Sequence, residues 1–552
     1  MPRYTPNGPL DDPILVDGDR GFRGIDSYLE NTSLQGGFVE TSENMRLTGD
    51  LAETRKGIDF LSGGLTLTYN GTDERVFCST LFSDPASGTE FVVVATKTKA
   101  IIWNDANNSG IAIDYPGGEV VADADGASFV QNFEKLILFR GTAKRPLEWD
   151  GNFASPTDFT VKTGTASGAG IACPNSTFGI SFRNRLIIAN PVTTNPVGGD
   201  SNYSVIMSDL LDSNNFTAAD AQFRLNKGSA DKLVGFFPYQ EDQLIVFMRN
   251  SIHMINNIAT VSAANTYEIT RQHGCVARKS IAQSGPQTFF LSDNGVIVLS
   301  PGTDPAKGLG VAISKVSGET IPMTRPIQDQ FDEVNFDHAH KSCGVVFDNR
   351  YILACPTGSS TVPNKIFEFD LLSSTWTSVN SYPAMFDNMA FHVDDWVVCM
   401  HDNSSDPPRR RLFACNDTGF YLMEENQTDD SGRKIGSTSE SGTTAIAGKL
   451  KTRSFTFDSV DVKRWRRGQV GVNTVADDAF TVKVNTIDPD TSSTVLTHTA
   501  SGTEEALLRF GTGRVRGYGA SVEIDVTAGR PSFRHISLEA IANGLNARRE
   551  VA

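Results

Sequence analysis

Asp337-His-Ala-His340, with Cys343 three residues on, is the stretch whose residue types and spacing come nearest to a metal site. Two histidines spaced by two share a face on a strand, as a chelate requires. Zinc takes three or four such ligands, and no convincing third and fourth accompany these. Structural or exposed histidines are the plainer reading, so no metal and no cofactor is expected. Gly511-x-Gly513-x-x-x-Gly517 misses the dinucleotide spacing and falls between strands instead of opening a helix. Neither a serine nucleophile elbow nor a pair of catalytic carboxylates stands in a recognisable context. The sequence predicts no enzyme and no catalytic residue.

Two further sets of residues need an explanation. Asp293-x-Gly295 and Asp417-x-Gly419 have the core of the Asp-box turn of sialidase propellers, but neither has Ser two residues earlier or Thr-Trp after. Tight-turn chemistry accounts for both. Lys463-Arg464-Trp465-Arg466-Arg467 is the one dense basic cluster. On a regular strand Lys463, Trp465 and Arg467 point one way and Arg464 and Arg466 the other. A solvated strand end, a contact to DNA phosphates and a contact to an acidic protein all fit. Four charges in an acidic chain make a weak site for DNA at physiological salt. Arg pairs with carboxylates in two bonds and Trp adds buried area, so an assembly contact is expected of all five residues.

The chain carries 49 Lys and Arg against 65 Asp and Glu, a net charge of −16. From Lys449 onward 15 basic residues face 12 acidic ones, so that tail carries +3 and the first 448 residues carry −19. An acidic body argues against a sequence-specific DNA reader, though not against a tube that DNA passes through. Seven scattered cysteines without a Cys-x-x-Cys pair lie in or beside apolar strands, which speaks against a disulfide framework or zinc ribbon. Residues 1–10 lack the apolar core of a secretory signal, and no apolar run approaches the ~20 residues of a membrane helix. A soluble protein made in a cytoplasm, without membrane insertion, is expected.

The elements that would position these residues are β-hairpins. Gln243-Leu-Ile-Val-Phe-Met248, the turn Arg249-Asn250-Ser251 and Ile252-His-Met-Ile255 make one, with a first strand buried on both faces. Gln287–Leu291, the turn Ser292-Asp-Asn-Gly295 and Val296–Leu299 repeat it, with Asp, Asn and Gly suited to the turn. Five more share the same grammar, around residues 91–103, 135–149, 185–207, 350–376 and 396–422. Trp103 to Trp149 is 46 residues, Met207 to Met254 is 47 and Met254 to Val298 is 44, the spacing of propeller blades. An all-β fold is expected: a β-propeller of six to eight blades, a C-terminal β-sandwich and an extended N-terminal arm. The boundaries predicted are 1–64 for the arm and docking segment, with one short helical possibility near Ser42–Leu47. Residues 65–426 make the propeller with insertions, 427–448 a linker or loop, and 449–552 the sandwich.

Several of these segments also resemble one family. Phe236–Ile255, His273-Gly-Cys-Val-Ala-Arg-Lys-Ser-Ile281 and Phe289–Val296 are similar to the propeller region of tail-nozzle proteins of short-tailed bacteriophages. That family includes tail tubular protein B and packaged-DNA-stabilising proteins. Gly36–Arg46, Leu51–Gly57, Gly517–Ile524 and Phe533–Leu538 resemble its opening and its C-terminal strands. The resemblance implies a structural virion protein and a homo-oligomer, a hexameric ring below the portal and adaptor. The ring retains the genome and lets it leave, with propellers on the outside and DNA passing without specific binding. It further implies contacts with tail fibre, spike or needle proteins, location in the virion tail and assembly in the host cytoplasm. Phe22, Arg23, Asn44, Arg46, Arg55 and Lys56 become candidates for N-terminal docking on a neighbouring ring or subunit. The competing expectation is a soluble β-propeller glycan-binding or hydrolase module.

Overall fold

The protein is described from a computed structural model covering residues 14–60, 76–104, 109–121, 127–153, 157–162, 171–190, 203–217, 221–226, 229–304, 308–313, 315–316, 319–382, 384–385, 389–403, 406–416, 419–425, 428–433, 441–457, 461–513 and 515–542. Strands make almost all of its regular structure; the one α-helix among the described residues is Gln328–Phe331.

Six separate four-stranded sheets succeed one another along the chain, and their first strands are Cys78–Ser83, Ala127–Asn132, Phe178–Phe182, Leu233–Tyr239, Ala282–Ser284 and, after an interval, Asp395–Asn403. In that interval a seventh unit, Cys343–Phe347 through Thr375–Ser381, has the same strand order but runs on into a ten-stranded sheet. Each unit buries one face on the unit before and one on the unit after, which is why its central strands read as unbroken apolar runs. Phe82 meets Trp149 at 5.3 Å between the first and second. Phe139 and Ile188 share a cluster between the second and third. Phe178 lies 5.0 Å from Phe236, Phe247 5.1 Å from Phe290 and Phe289 5.2 Å from Tyr351, joining the third to the sixth. The Trp396 indole donates to the Cys343 carbonyl at 3.2 Å, and Trp103 sits 5.5 Å from Phe413, which returns the ring to its start. The fold is a β-propeller, as the hairpin spacing predicts. Trp103, Trp149, Met207, Met254 and Val298 all fall on third strands.

The last blade takes its fourth strand, Gly57–Phe60, from the other end of the chain, where it pairs with Gly419–Glu425. A strand borrowed from the far terminus locks the ring, because opening it would break a ladder between residues over 350 positions apart.

The sandwich is built from both ends as well. One sheet runs from Ile14–Arg20 and Ala52–Thr54, through Ser532–Ala542 and Lys463–Thr474, to Glu504–Gly511. The other runs from Phe38–Glu43 through Gly448–Thr452, Gly519–Ala528 and Ala479–Ile487 to Thr491–Thr499. Alternate residues of these strands are buried, as in Ala479–Ile487, so Trp465, Val470, Val482, Val484, Ile524 and Ile536 fill one core. Fully burying each of the valines and isoleucines among them is worth about 1.5–3 kcal/mol.

Residues 14–60 are therefore not a separate arm: they supply strands to the sandwich and the closing strand to the propeller. The short helix expected near Ser42–Leu47 is instead the end of Phe38–Glu43 and the strand Met45–Leu47, broken at Asn44 with φ 52°. Part of the expected 427–448 linker is a hairpin, Asp429–Arg433 with Ser441–Ala445.

Candidate functional site

The innermost strands of the first, second and seventh blades bring the backbone carbonyls of Phe77, Ala127 and Asp394 together at one mouth of the propeller. Such groups need donors wherever water is excluded. The donors come from Arg278–Ser280, a single turn in the connection between the fourth and fifth blades. Lys279 Nζ donates to the carbonyls of Phe77 (3.3 Å) and Asp394 (2.9 Å) and lies 3.1 Å from the Asp395 carboxylate. Arg278 donates to the Ala127 carbonyl at 2.9 Å, and its guanidinium lies 5.1 Å from the centre of the Phe178 ring. The Tyr351 hydroxyl donates to the Ser280 carbonyl at 2.9 Å. One turn thus touches the first, second, third, sixth and seventh blades, and the propeller's axis is plugged by its own chain.

Local chemistry fixes this plug. Ser280 Oγ donates to the Ala277 carbonyl at 2.7 Å and accepts from the Leu291 amide at 3.0 Å. Gly274 presses on the Arg249–Asn250 turn, where a Cβ would come within 2.2 Å of the Arg249 carbonyl oxygen. Burial is the largest influence and works against charge on Lys279, but Asp395, together with Cys78, Cys343 and Asp394, more than offsets it and holds the ammonium above its ordinary pKa. Arg278 faces burial with weaker compensation, which lowers its pKa. Asp395 in turn accepts from the amides of Ser79 and Trp396, both at 3.0 Å, so Lys279 clamps the seam where the last blade meets the first.

A second polar cluster joins propeller to sandwich. Arg46 Nη2 lies 2.6 Å from Glu424 and 3.4 Å from Glu368; Arg350 lies 2.6 Å from Glu368 and 3.0 Å from Glu424. A register shift between Leu422 and Glu425, with φ 64° at Glu424, turns that carboxylate inward. Burial would raise its pKa, but the two guanidiniums hold it far below the usual carboxylate range. Arg55 is buried, binds both oxygens of Asp430 and lies 3.9 Å from the centre of the Tyr382 ring. Asn44 accepts from Arg55 at 3.1 Å and from the Ser381 amide at 3.0 Å, and donates to the Ala447 carbonyl at 2.8 Å.

Of the six candidates for N-terminal docking, Phe22, Asn44, Arg46 and Arg55 are thus buried within the chain, while Arg23 is exposed and Lys56 half-buried. The first four join parts of one molecule. In the basic cluster Lys463 and Trp465 are fully buried, and Lys463 Nζ donates to the carbonyls of Asp461 and Tyr518, each at 2.9 Å. The expected alternation fails at a bulge between Trp465 and Arg467, which turns both Arg466 and Arg467 outward beside Glu539. Arg464 is half-buried. Only Arg464, Arg466 and Arg467 of the five present charge at the surface.

His338 and His340 lie at a 3-10 turn, not on a strand, with ring centres 6.3 Å apart. Cys343 is buried and its thiol donates to the Val393 carbonyl at 3.5 Å. Asp293 pairs with Arg249 through two 2.6 Å bonds, tying adjacent blades; Asp417 lies outside the described residues.

Sequence reasoning missed a buried serine, histidine and aspartate set. Ser251 Oγ lies 2.6 Å from Asp231 and 3.0 Å from His253 Nε2. The order is wrong for nucleophilic catalysis, since the carboxylate holds the hydroxyl and not the imidazole. With its one proton on Asp231, Ser251 accepts from His253 and has none to yield to it. Burial lowers the His253 pKa. The set fastens the turn, whose Asn250 amide also donates to Asp231 at 2.8 Å.

Among the described residues no helix is long and apolar enough to cross a membrane, and no group of three metal-ligating side chains occurs. No family model matches the chain, and no curated protein does. Among solved structures, the extracellular domain of the putative one-component system BT4673 from B. thetaiotaomicron aligns at 10% identity and TM-score 0.38 over 90% of this chain and 62% of that one. The Neurospora crassa Pan2 WD40 domain aligns at 11% identity and TM-score 0.30, covering 61% of this chain and 88% of that one. An exo-β-1,3-galactanase from Phanerochaete chrysosporium aligns at 10% identity and TM-score 0.27, covering 78% of this chain and 98% of that one. This chain spans less than two thirds of the BT4673 domain's length. Likenesses this loose say nothing of activity.

Proposed function

We propose that the chain is a structural subunit of a tail nozzle, several copies of which form a ring around a channel for the genome of a short-tailed bacteriophage. The plugged propeller axis is the observation that carries this reading. His273–Ile281, one of the stretches that resemble the nozzle family, contains Arg278–Ser280, the turn that plugs the axis. With its axis closed at one mouth, the propeller is no passage, and the conduit for DNA lies between copies instead of through each one. The same plug occupies one mouth of the axis, which weighs against an active site there. Interlocked termini and buried ion pairs between propeller and sandwich suit a part that bears load. An acidic lumen would repel the DNA backbone and let it slide. In this reading the adaptor side of the tail and its fibre, spike or needle proteins are the partners, and the chain turns over no substrate.

A second reading, a glycan-binding propeller, has one observation in its favour. A pocket of about 420 Å³ beside the fourth blade is lined by Gln240, Glu241, Asp242, Gln243, Asn256 and Asn257. Such side chains suit sugar hydroxyls. The native mass of the purified full chain separates the two. A ring of several chains is expected; a stable monomer that binds oligosaccharide, and loses it on Asp242→Ala, overturns the nozzle reading in favour of the second.

A further inference from the structure

The sandwich sheet made of Ile14–Arg20, Ser532–Ala542, Lys463–Thr474 and Glu504–Gly511 ends in two strands that pair on one side only among the described residues. Exposed edges of this length are templates for further strands. We infer that these two edges are complementary halves of one interface, through which a second copy of this chain continues the sheet. The inference rests on the ring reading and names the surface that would build the ring.

Four features fit the edges to each other. Their lengths match, at seven and eight residues. Each successive pair in the sheet is antiparallel, so Ile14–Arg20 and Glu504–Gly511 run in opposite directions. A copy displaced sideways by one sheet width, with strand direction kept, therefore adds its edge antiparallel. Their heights match too. Partner residues run Arg20, His535, Gly471, Leu507 across the sheet, and likewise Val16, Glu539, Arg467, Gly511. The unshifted neighbour thus sets Arg20 against Leu507 and Val16 against Gly511. Finally, both edges expose apolar surface on the same outer face, with Val16 64% and Leu507 51% accessible. Two different edges meeting head to tail make a heterologous contact, which closes into a ring when the rotation permits.

The register supplies a test. Val16 and Gly511 of one chain lie three strand spacings apart, about 14 Å, beyond the ~7 Å Cα limit of a disulfide. A Cβ at Gly511 meets no atom within 4 Å, and Val16 is exposed, so Val16→Cys with Gly511→Cys preserves the fold. The native cysteines are all buried. On oxidation the double variant is expected to give a ladder of covalently linked chains, and each single variant none beyond dimers. A wild-type ring by mass with no ladder from the double variant overturns this interface while leaving the ring standing. A wild-type monomer overturns the ring reading itself. Should the cysteine variant fail to fold, Val16→Lys with Leu507→Lys is expected to reduce the particle to single chains, and retention of the ring by that variant overturns the interface.

Discussion

Lys279, in the connection between the fourth and fifth blades, reaches across the propeller to within 3.1 Å of Asp395 in the seventh. It also binds the Phe77 and Asp394 carbonyls, so one ammonium satisfies acceptors from both sides of the closing seam. Lys279→Met removes all three donors and leaves those half-buried acceptors without their shared partner. A loss of about 2 kcal/mol or more is expected, read as a lower thermal midpoint. An unchanged midpoint would show that water replaces the ammonium and that the plug is not a clamp.

The pairing of Arg55 with Asp430 spans 375 positions of sequence and is wholly buried. Removing one partner strands the other charge, so Arg55→Met and Asp430→Leu should each cost about 3–5 kcal/mol. The double variant should cost much less than their sum. Additive losses in the double-mutant cycle would contradict direct coupling.

Glu424 gives the junction a pH dependence. Its folded pKa is depressed by Arg46 and Arg350, so its stabilisation is present above the unfolded carboxyl pKa of about 4.3 and is lost as pH falls toward the folded value. Glu424→Gln should be less stable than wild type at pH 7, and the gap should close as the medium becomes more acid. Denaturation curves with a gap constant from pH 7 to 3 would rule this out.

How much of this was legible in the sequence depended on how local each signal was. Seven hairpins were legible because each strand is a short apolar run closed by turn residues, as in Gln243–Ile255. The closing strand Gly57–Phe60 was not, because its partner lies near residue 421 and pairing leaves no mark in either segment alone. The bulge at Arg466 was hidden for the opposite reason: one inserted residue reverses the faces of Arg467 and of the residues after it without changing composition. Arg278 and Lys279 were visible only as part of a resemblance. Their acceptors are backbone carbonyls of Phe77, Ala127 and Asp394, whose residue types announce nothing.

The cysteines should be silent in the folded protein. All seven are buried, and burial pushes Cys78, Cys173, Cys275 and Cys355 up to about 12. A thiol-specific disulfide reagent at pH 8 should label none within the time that labels all seven after unfolding. Fast reaction of one thiol would reveal a local opening of its strand.

The most direct measurement of the central claim is imaging of the purified full-length particle by electron cryo-microscopy. A closed ring is expected, its lumen bounded by several chains, with each propeller closed at its own axis. Separate single propellers, or a lumen running through each one, would contradict it.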